Sequence, residues 1–350
     1  MADSHLVRLV PRPRLGKPGL WRPVRRVVVF ARLPSPTLDY FLIRRLTVPG
    51  RPPLEIVDLA TDELPSCELE GTFVVFCRYA NPASLRWVGL NRDRLAGVGL
   101  MIDDDLAAWV TARRTPLGYR LFLLQNGVLP LLRLNSWLSH LWVGTSALAA
   151  AIGEAGAVPL LPAPRREDFT PAHPSHSSHP DGPVRIVFFA EYHDREHDFL
   201  LPVIARVLQE RPQVQIEVTG TPAHASRWRS IAGVEISPFR PWPEFRAYTA
   251  SHPADLVLAP LLADAINATR SATKRIDVAR MNAAGVYSSG SVFEATGTED
   301  ELFIPNDEAA WVAHLIRLID DPVAREKARQ ATRQVVEDWH ARETGLPGLF

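Results

Sequence analysis

Cysteine is almost absent from this chain. Cys67 and Cys77 are the only two, both in apolar surroundings and without CxxC spacing, which excludes a disulfide scaffold or a zinc motif and predicts a reducing compartment. Net charge is absent too. The 39 basic and 39 acidic residues balance, so no global field draws in nucleic acid and no nucleic-acid partner is expected. Long hydrophobic runs are also missing. The longest, around Leu121 to Leu134, is broken by Gln125, Asn126, Gly127, Pro130 and Arg133, well short of the ~20 apolar residues of a membrane span. The N-terminus carries Arg8, Arg12, Arg14, Lys17, Arg22, Arg25 and Arg26, but no apolar stretch follows as in a signal peptide, so the expected location is the cytoplasm. No His, Asp or Cys cluster has ligand spacing, and no metal is expected.

What is present suits two globular domains. A chain of 350 residues is long for one core, and with 46% apolar and 22% charged residues most of it can be buried. Residues 1–25 read as a basic tail. It is a candidate for weak contact with anionic lipid at the inner face of a membrane, each basic side chain adding about 1 kcal/mol; the competing reading is a solubilising tail, since no amphipathic helix accompanies the charge.

From Arg26 to Ala31 a β-branched run ends at the turn formers Leu33-Pro34-Ser35-Pro36, the pattern of a buried first strand. Similar runs at Leu54 to Leu59, Thr72 to Cys77 and Gly97 to Ile102, spaced for helices between them, predict a parallel sheet over 26–163. The composition then turns to Pro, His, Ser, Arg and Asp, including His173-Pro174-Ser175-His176-Ser177-Ser178-His179-Pro180, which predicts a linker over 164–183. Strand patterns restart at Val184 to Ala190, Val214 to Gly220, Asp255 to Ala259 and Val286 to Ser288, and Asp307 to Trp339 reads as two helices broken at Asp321-Pro322. A second α/β domain is therefore expected over 184–335. Two such domains form a cleft, and ligands of such sheets bind beyond the carboxyl ends of the strands.

Residues at strand ends thus become the candidates. Ser271 is positioned to cap a helix running through Ala279, whose N-terminus would suit a diphosphate, with Arg270 and Lys274 adding charge. Lys274 and Asp277 share a face, where one can meet phosphate and the other a sugar hydroxyl; equally they can be a surface ion pair. Asp103, Asp104 and Asp105 follow a strand, where a carboxylate can bind acceptor hydroxyls or act as a catalytic base, or simply cap a helix. Arg32, with Ser35, Thr37 and Asp39, follows the first strand, either as a ligand contact or as an ordinary polar turn.

The run Asn267-x-x-Arg270-Ser271-x-x-Lys274-x-x-Asp277, followed by Ala283-Ala284-Gly285-Val286-Tyr287-Ser288, resembles the donor-site segment of family-4 glycosyltransferases, usually Asn-x-x-Lys-Ser-x-x-Lys-x-x-Glu. The stretch Phe189 to Phe199, with His193 and His197, is similar to the turn after the first donor-domain strand. Val75 to Tyr79, ending in Arg78-Tyr79, and Gly99 to Leu106 look like the strand ends of the first domain, and Trp311 with Asp321-Pro322-Val323-Ala324-Arg325 like the closing helices. The resemblance covers about residues 26–340. It implies a GT-B fold, with two Rossmann-like domains and a cleft, and with residues 336–350 returning to the first domain. It implies a metal-independent, hexosyltransferase-like enzyme of polysaccharide biosynthesis with no cofactor. The donor is a nucleotide-diphosphate sugar, and the acceptor a saccharide, a lipid-linked saccharide or a small metabolite. Asn267, Arg270, Ser271, Lys274, Asp277 and His197 would bind the donor, Arg32 and Arg78 would face the acceptor, and Asp103 or Asp105 would be catalytic. Two departures stand out: Thr269 replaces a carboxylate, and Asn282 a glycine. The first motivates the alternative of a noncatalytic GT-B-like nucleotide- or partner-binding protein.

Overall fold

The computed structural model describes residues 10–61, 63–170, 182–190, 193–342 and 345–350. Residues 1–9 of the expected tail and the His-rich tract within the expected linker, 171–181, lie outside them. The chain divides into two compact units: Met1–Ala163 with Ala268–Ser271 and Arg342–Phe350, and Pro164–Asn267 with Ala272–Ala341.

The first unit is built on six parallel strands: β1 (Arg26–Ala31), β2 (Leu54–Asp58), β3 (Thr72–Cys77), β4 (Gly97–Ile102), β5 (His140–Val143) and β6 (Ala157–Pro159), in the order β2-β1-β3-β4-β5-β6. Parallel strands need crossovers, which cover both sheet faces, so inner strands read as unbroken apolar runs rather than alternating ones. Every residue of β3 and β4 is buried accordingly. One face packs Val28, Phe30, Val74, Phe76, Val98 and Leu100 against Trp87, Val88 and Leu148 from crossover helices.

Residues 10–25 are not the tail that their prolines and arginines suggest. Gly16 N–H donates to Leu138 O at 3.0 Å, Trp21 N–H to Ala96 O at 2.8 Å and Arg25 N–H to Gly71 O at 2.8 Å, while Leu15 and Trp21 pack against the core. Proline removes few donors from such an extended segment, and the remaining N–H groups find carbonyls at the ends of the sheet.

The second unit repeats the architecture: β7 (Arg185–Phe189), β8 (Gln215–Thr219), β9 (Val234–Ser237), β10 (Leu256–Ala259), β11 (Ala284–Ser288) and β12 (Leu302–Ile304), in the order β12-β11-β10-β7-β8-β9, all parallel. Its core joins Ile186, Val218, Leu258 and Val286 to Trp228 and Trp311. The closing helices are Glu308–Asp320 and Pro322–Arg342, with the break at the expected Asp321-Pro322. The unit also buries charge. Arg275 Nε and Nη2 donate to the two oxygens of Glu301 at 2.8 and 2.7 Å, with both side chains fully inaccessible, and Thr332 from the last helix completes the carboxylate at 3.1 Å.

Removing one partner of such a pair strands a buried charge, which costs about 3–5 kcal/mol. Glu301→Gln is therefore expected to lower unfolding stability by that amount in urea denaturation. Arg275→Met combined with Glu301→Leu, which removes both charges, should recover much of the loss.

Candidate active site

In a sheet of this kind, crossovers leave β1 on one side and return on the other, so the loops after β1 and β3 diverge at a switch point. Arg78 sits there with φ of 65°, a backbone conformation uncommon for a side chain with a Cβ and concentrated at functional sites. Its guanidinium reaches Asp103 Oδ1 at 3.3 Å and Asp104 Oδ2 at 3.0 Å. Thr37 from the β1 loop donates to Asp103 Oδ2 at 2.8 Å and accepts from Arg78 at 3.4 Å. Burial pushes the Asp103 carboxyl up from the usual range, opposed by the Arg78 charge.

Both aspartates expected to be catalytic have partners within the first unit. Asp103 holds Arg78 and Thr37 and keeps its side chain 14% exposed. Asp105 is a cap: its Oδ1 accepts from Ala108 N–H at 3.1 Å, its Oδ2 pairs with Arg12 at 3.1 Å, and it is 7% exposed. Two of the acidic run are thus committed within the fold. Of the expected acceptor-side cations, Arg78 is held in this cluster, whereas Arg32 is exposed and lies 5.0 Å from the Phe122 ring centroid.

The second sheet has its switch point between β7 and β10. Lys274 donates from Nζ to Phe189 O at 3.1 Å and lies 3.9 Å from the Phe189 ring centroid, so its ammonium sits at the carboxyl end of β7. The helix carrying it is Lys274–Arg280, which begins three residues after the expected cap. One 3-10 turn, Asn267–Thr269, lies between the loop after β10 and this helix. That turn is set by Asp264, whose Oδ1 accepts from Ile266 and Asn267 N–H at 2.9 and 2.8 Å. Ser271 and Arg270 group with the first unit, where Arg270 lies 5.3 Å from the Trp109 ring centroid.

Three residues expected at the donor are buried. Asp277 is 4% exposed, and Arg280 donates to it at 3.1 Å while also holding Asp168 at 3.0 Å. Asn267 donates to Glu196 Oε1 at 2.7 Å and to Leu262 O at 2.8 Å, a strut for the loop after β10. His197 is 1% exposed. Its Nδ1 accepts from Trp228 Nε1–H at 2.9 Å, which leaves Nε2 to donate to Ala190 O at 3.1 Å and fixes a neutral tautomer.

Glu196 was not singled out by sequence reasoning. At 3% exposure it accepts from Leu262 N–H at 3.0 Å as well as from Asn267, and its Oε2 lies 3.5 Å from His193 Nδ1. Burial pushes its pKa up, yet the His193 contact and these donors outweigh it and pull the carboxyl down to about 2. The carboxylate ties the loop after β10 to the start of the helix after β7, the two segments flanking the switch point. A second strut joins Leu261 N–H to Ser288 Oγ at 2.8 Å, and Ser288 to Asn306 at 2.5 Å. Asn282 takes φ of 51°, a left-handed conformation open to glycine and, among the rest, best to asparagine, which suits the asparagine found there.

No family model matches this sequence, and no curated protein does. Solved structures do match. A glycosyltransferase from Rickettsia africae ESF-5 superposes with a TM-score of 0.57 at 10% identity, over 94% of this chain and 96% of that one. HepE of Anabaena, solved in complex with UDP and glucose, gives 0.57 at 11% over 90% and 97%. TarM gives 0.55 at 11%, over 78% of this chain and 53% of TarM, so the chain spans about half the length of that protein. The fold is GT-B. Similarity at this identity fixes the GT-B architecture, whereas the residue roles above rest on their own geometry.

Acid should expose the cost of burying His197. Burial, followed by the neighbouring His224, pushes this ring down from 6.5 to about 3. Because the unfolded chain takes up the proton first, its contribution is complete above pH 6.5 and is lost as pH falls toward 3, at about 1.4 kcal/mol per pH unit. Urea denaturation from pH 7 to pH 4 should show this slope, and His197→Gln should remove it.

Proposed function

We propose that this protein transfers a sugar from a nucleotide-diphosphate sugar to a hydroxyl of a saccharide, a lipid-linked saccharide or a small metabolite. Lys274 carries the reading. Its ammonium stands at the carboxyl end of β7, beside the switch point where open parallel sheets receive phosphorylated ligands. Cleavage of a sugar–phosphate bond leaves negative charge on the diphosphate, and a cation already fixed there stabilises that charge without reorganising. Glu196 and Asn267 hold the flanking loop in place, and the exposed Arg32 offers the first unit a group for the acceptor. The GT-B fold, shared with HepE in its complex with UDP and glucose, supports the same chemistry.

Hexosyl transfer without a metal or cofactor belongs to this proposal, with Lys274 supplying charge where a divalent ion would otherwise stand. So does a cytoplasmic location, for which the two free thiols speak.

Two measurements test it. Lys274→Ala is expected to weaken UDP, GDP or ADP binding, whichever the protein prefers, by about 1.5–3 kcal/mol, the range for hydrogen bonds to charged groups. The corresponding nucleoside should bind nearly unchanged in the same calorimetric titration, and equal small effects on both would sink the assignment of Lys274 to the diphosphate. Separately, release of nucleoside diphosphate from sugar donors should persist in chelator. Rescue by magnesium of activity lost in chelator would overturn metal independence, while diphosphate binding with no turnover of any donor would favour the noncatalytic alternative.

A further inference from the structure

From Leu106 to Gly153 the chain contains no aspartate or glutamate, although it carries Arg113, Arg114, Arg120 and Arg133. In a chain of zero net charge this is a strong local asymmetry. The same stretch holds the densest group of exposed leucines: Leu117 at 69%, Leu121 at 48%, Leu129 at 46% and Leu132 at 68%. Leu117, Leu121 and Leu132 lie on the helical pieces Leu117–Leu123 and Leu131–Leu134, and Leu129 is the C-cap of the piece between them, Leu124–Val128. The middle piece is a π-turn, shown by the Leu129 N–H to Leu124 O bond at 2.8 Å. Leu117 and Leu121 are four residues apart and Leu129 and Leu132 three, about one turn each, so the four form an outer stripe interrupted at exposed Gln125. Leu123, Val128, Leu131 and Leu134 face the core. Exposed Arg113 and Arg114 stand at one end of the stripe and exposed Arg133 at the other.

We propose that this stripe is a docking surface for an anionic lipid bilayer, on which the helical run lies in the interfacial plane with its leucines inserted and its arginines at the headgroups. An apolar face flanked by basic residues has the form that binds such interfaces, and arginine stems reach headgroups while their apolar parts stay buried. The described helices include none long and apolar enough to cross a membrane, so the run lies on the surface. A second copy of the chain fits poorly, because a two-fold interface would set this arginine-only face against itself. The surface belongs to the first unit and Lys274 to the second, and the proposal stands independently of the nucleotide reading.

Co-sedimentation tests it, using vesicles of phosphatidylcholine mixed with phosphatidylglycerol and vesicles of phosphatidylcholine alone. The full chain should sediment with the anionic vesicles far more than with the neutral ones and be released by salt. Leu117→Gln with Leu132→Gln should reduce binding at least about tenfold. Arg113→Gln with Arg114→Gln should reduce it by about fivefold per arginine. All four positions are exposed, so the unfolding midpoint should not move. Failure of the wild type to bind anionic vesicles overturns the proposal, and so does binding that neither variant reduces, which would assign the contact to another surface. A dimer in ultracentrifugation that the leucine variants dissociate would show that a second copy covers the stripe, and would equally overturn it.

Discussion

All twelve strands run parallel within their sheets, and that constraint organises the rest. Parallel neighbours cannot be joined by tight turns, so each connection crosses a face and every strand delivers its carboxyl end to the same edge. Strand order then reverses once in each sheet, at β1/β3 and at β7/β10, and the loops there must part. Arg78 with its aspartates occupies the first gap, and Lys274 flanks the second.

Carboxylates with several partners brace both units. Asp103 holds Arg78, Glu196 holds Asn267 and the loop after β10, and Glu301 holds Arg275 with a threonine of the last helix. Glu196 and Glu301 are removed from water and repaid by several donors rather than one, the condition under which a buried charge is tolerated. Several acidic groups at strand ends, Asp103 and Asp105 among them, thus have basic or backbone partners within the fold.

The inner strands were legible because their signal is local. Burial on both faces leaves a β-branched run that composition alone exposes, as in Val27-Val28-Val29. The edge strands β6, β9 and β12 escaped notice, since three or four residues with one open face carry little pattern. At the candidate site the long-range partners were invisible. Asp277 has cations three positions away on both sides, Lys274 and Arg280, and spacing cannot choose between them; burial of Arg280, which Asp168 also holds from 112 positions away, does. Glu196 and Asn267 lie 71 positions apart, and nothing in either neighbourhood announces the pairing.

The first sheet also depends on residues made long after it. Trp142 Nε1–H in β5 donates to Pro347 O at 3.1 Å, across 205 positions, and His140 Nε2 meets Gly348 O at 3.1 Å, across 208. Since translation proceeds from the N-terminus and domains tend to fold as they emerge, β5 must wait with these groups unmet while the whole second sheet is synthesised. The unit begun first is therefore the one finished last, and its edge beside β5 is the part of the nascent protein that needs shielding longest.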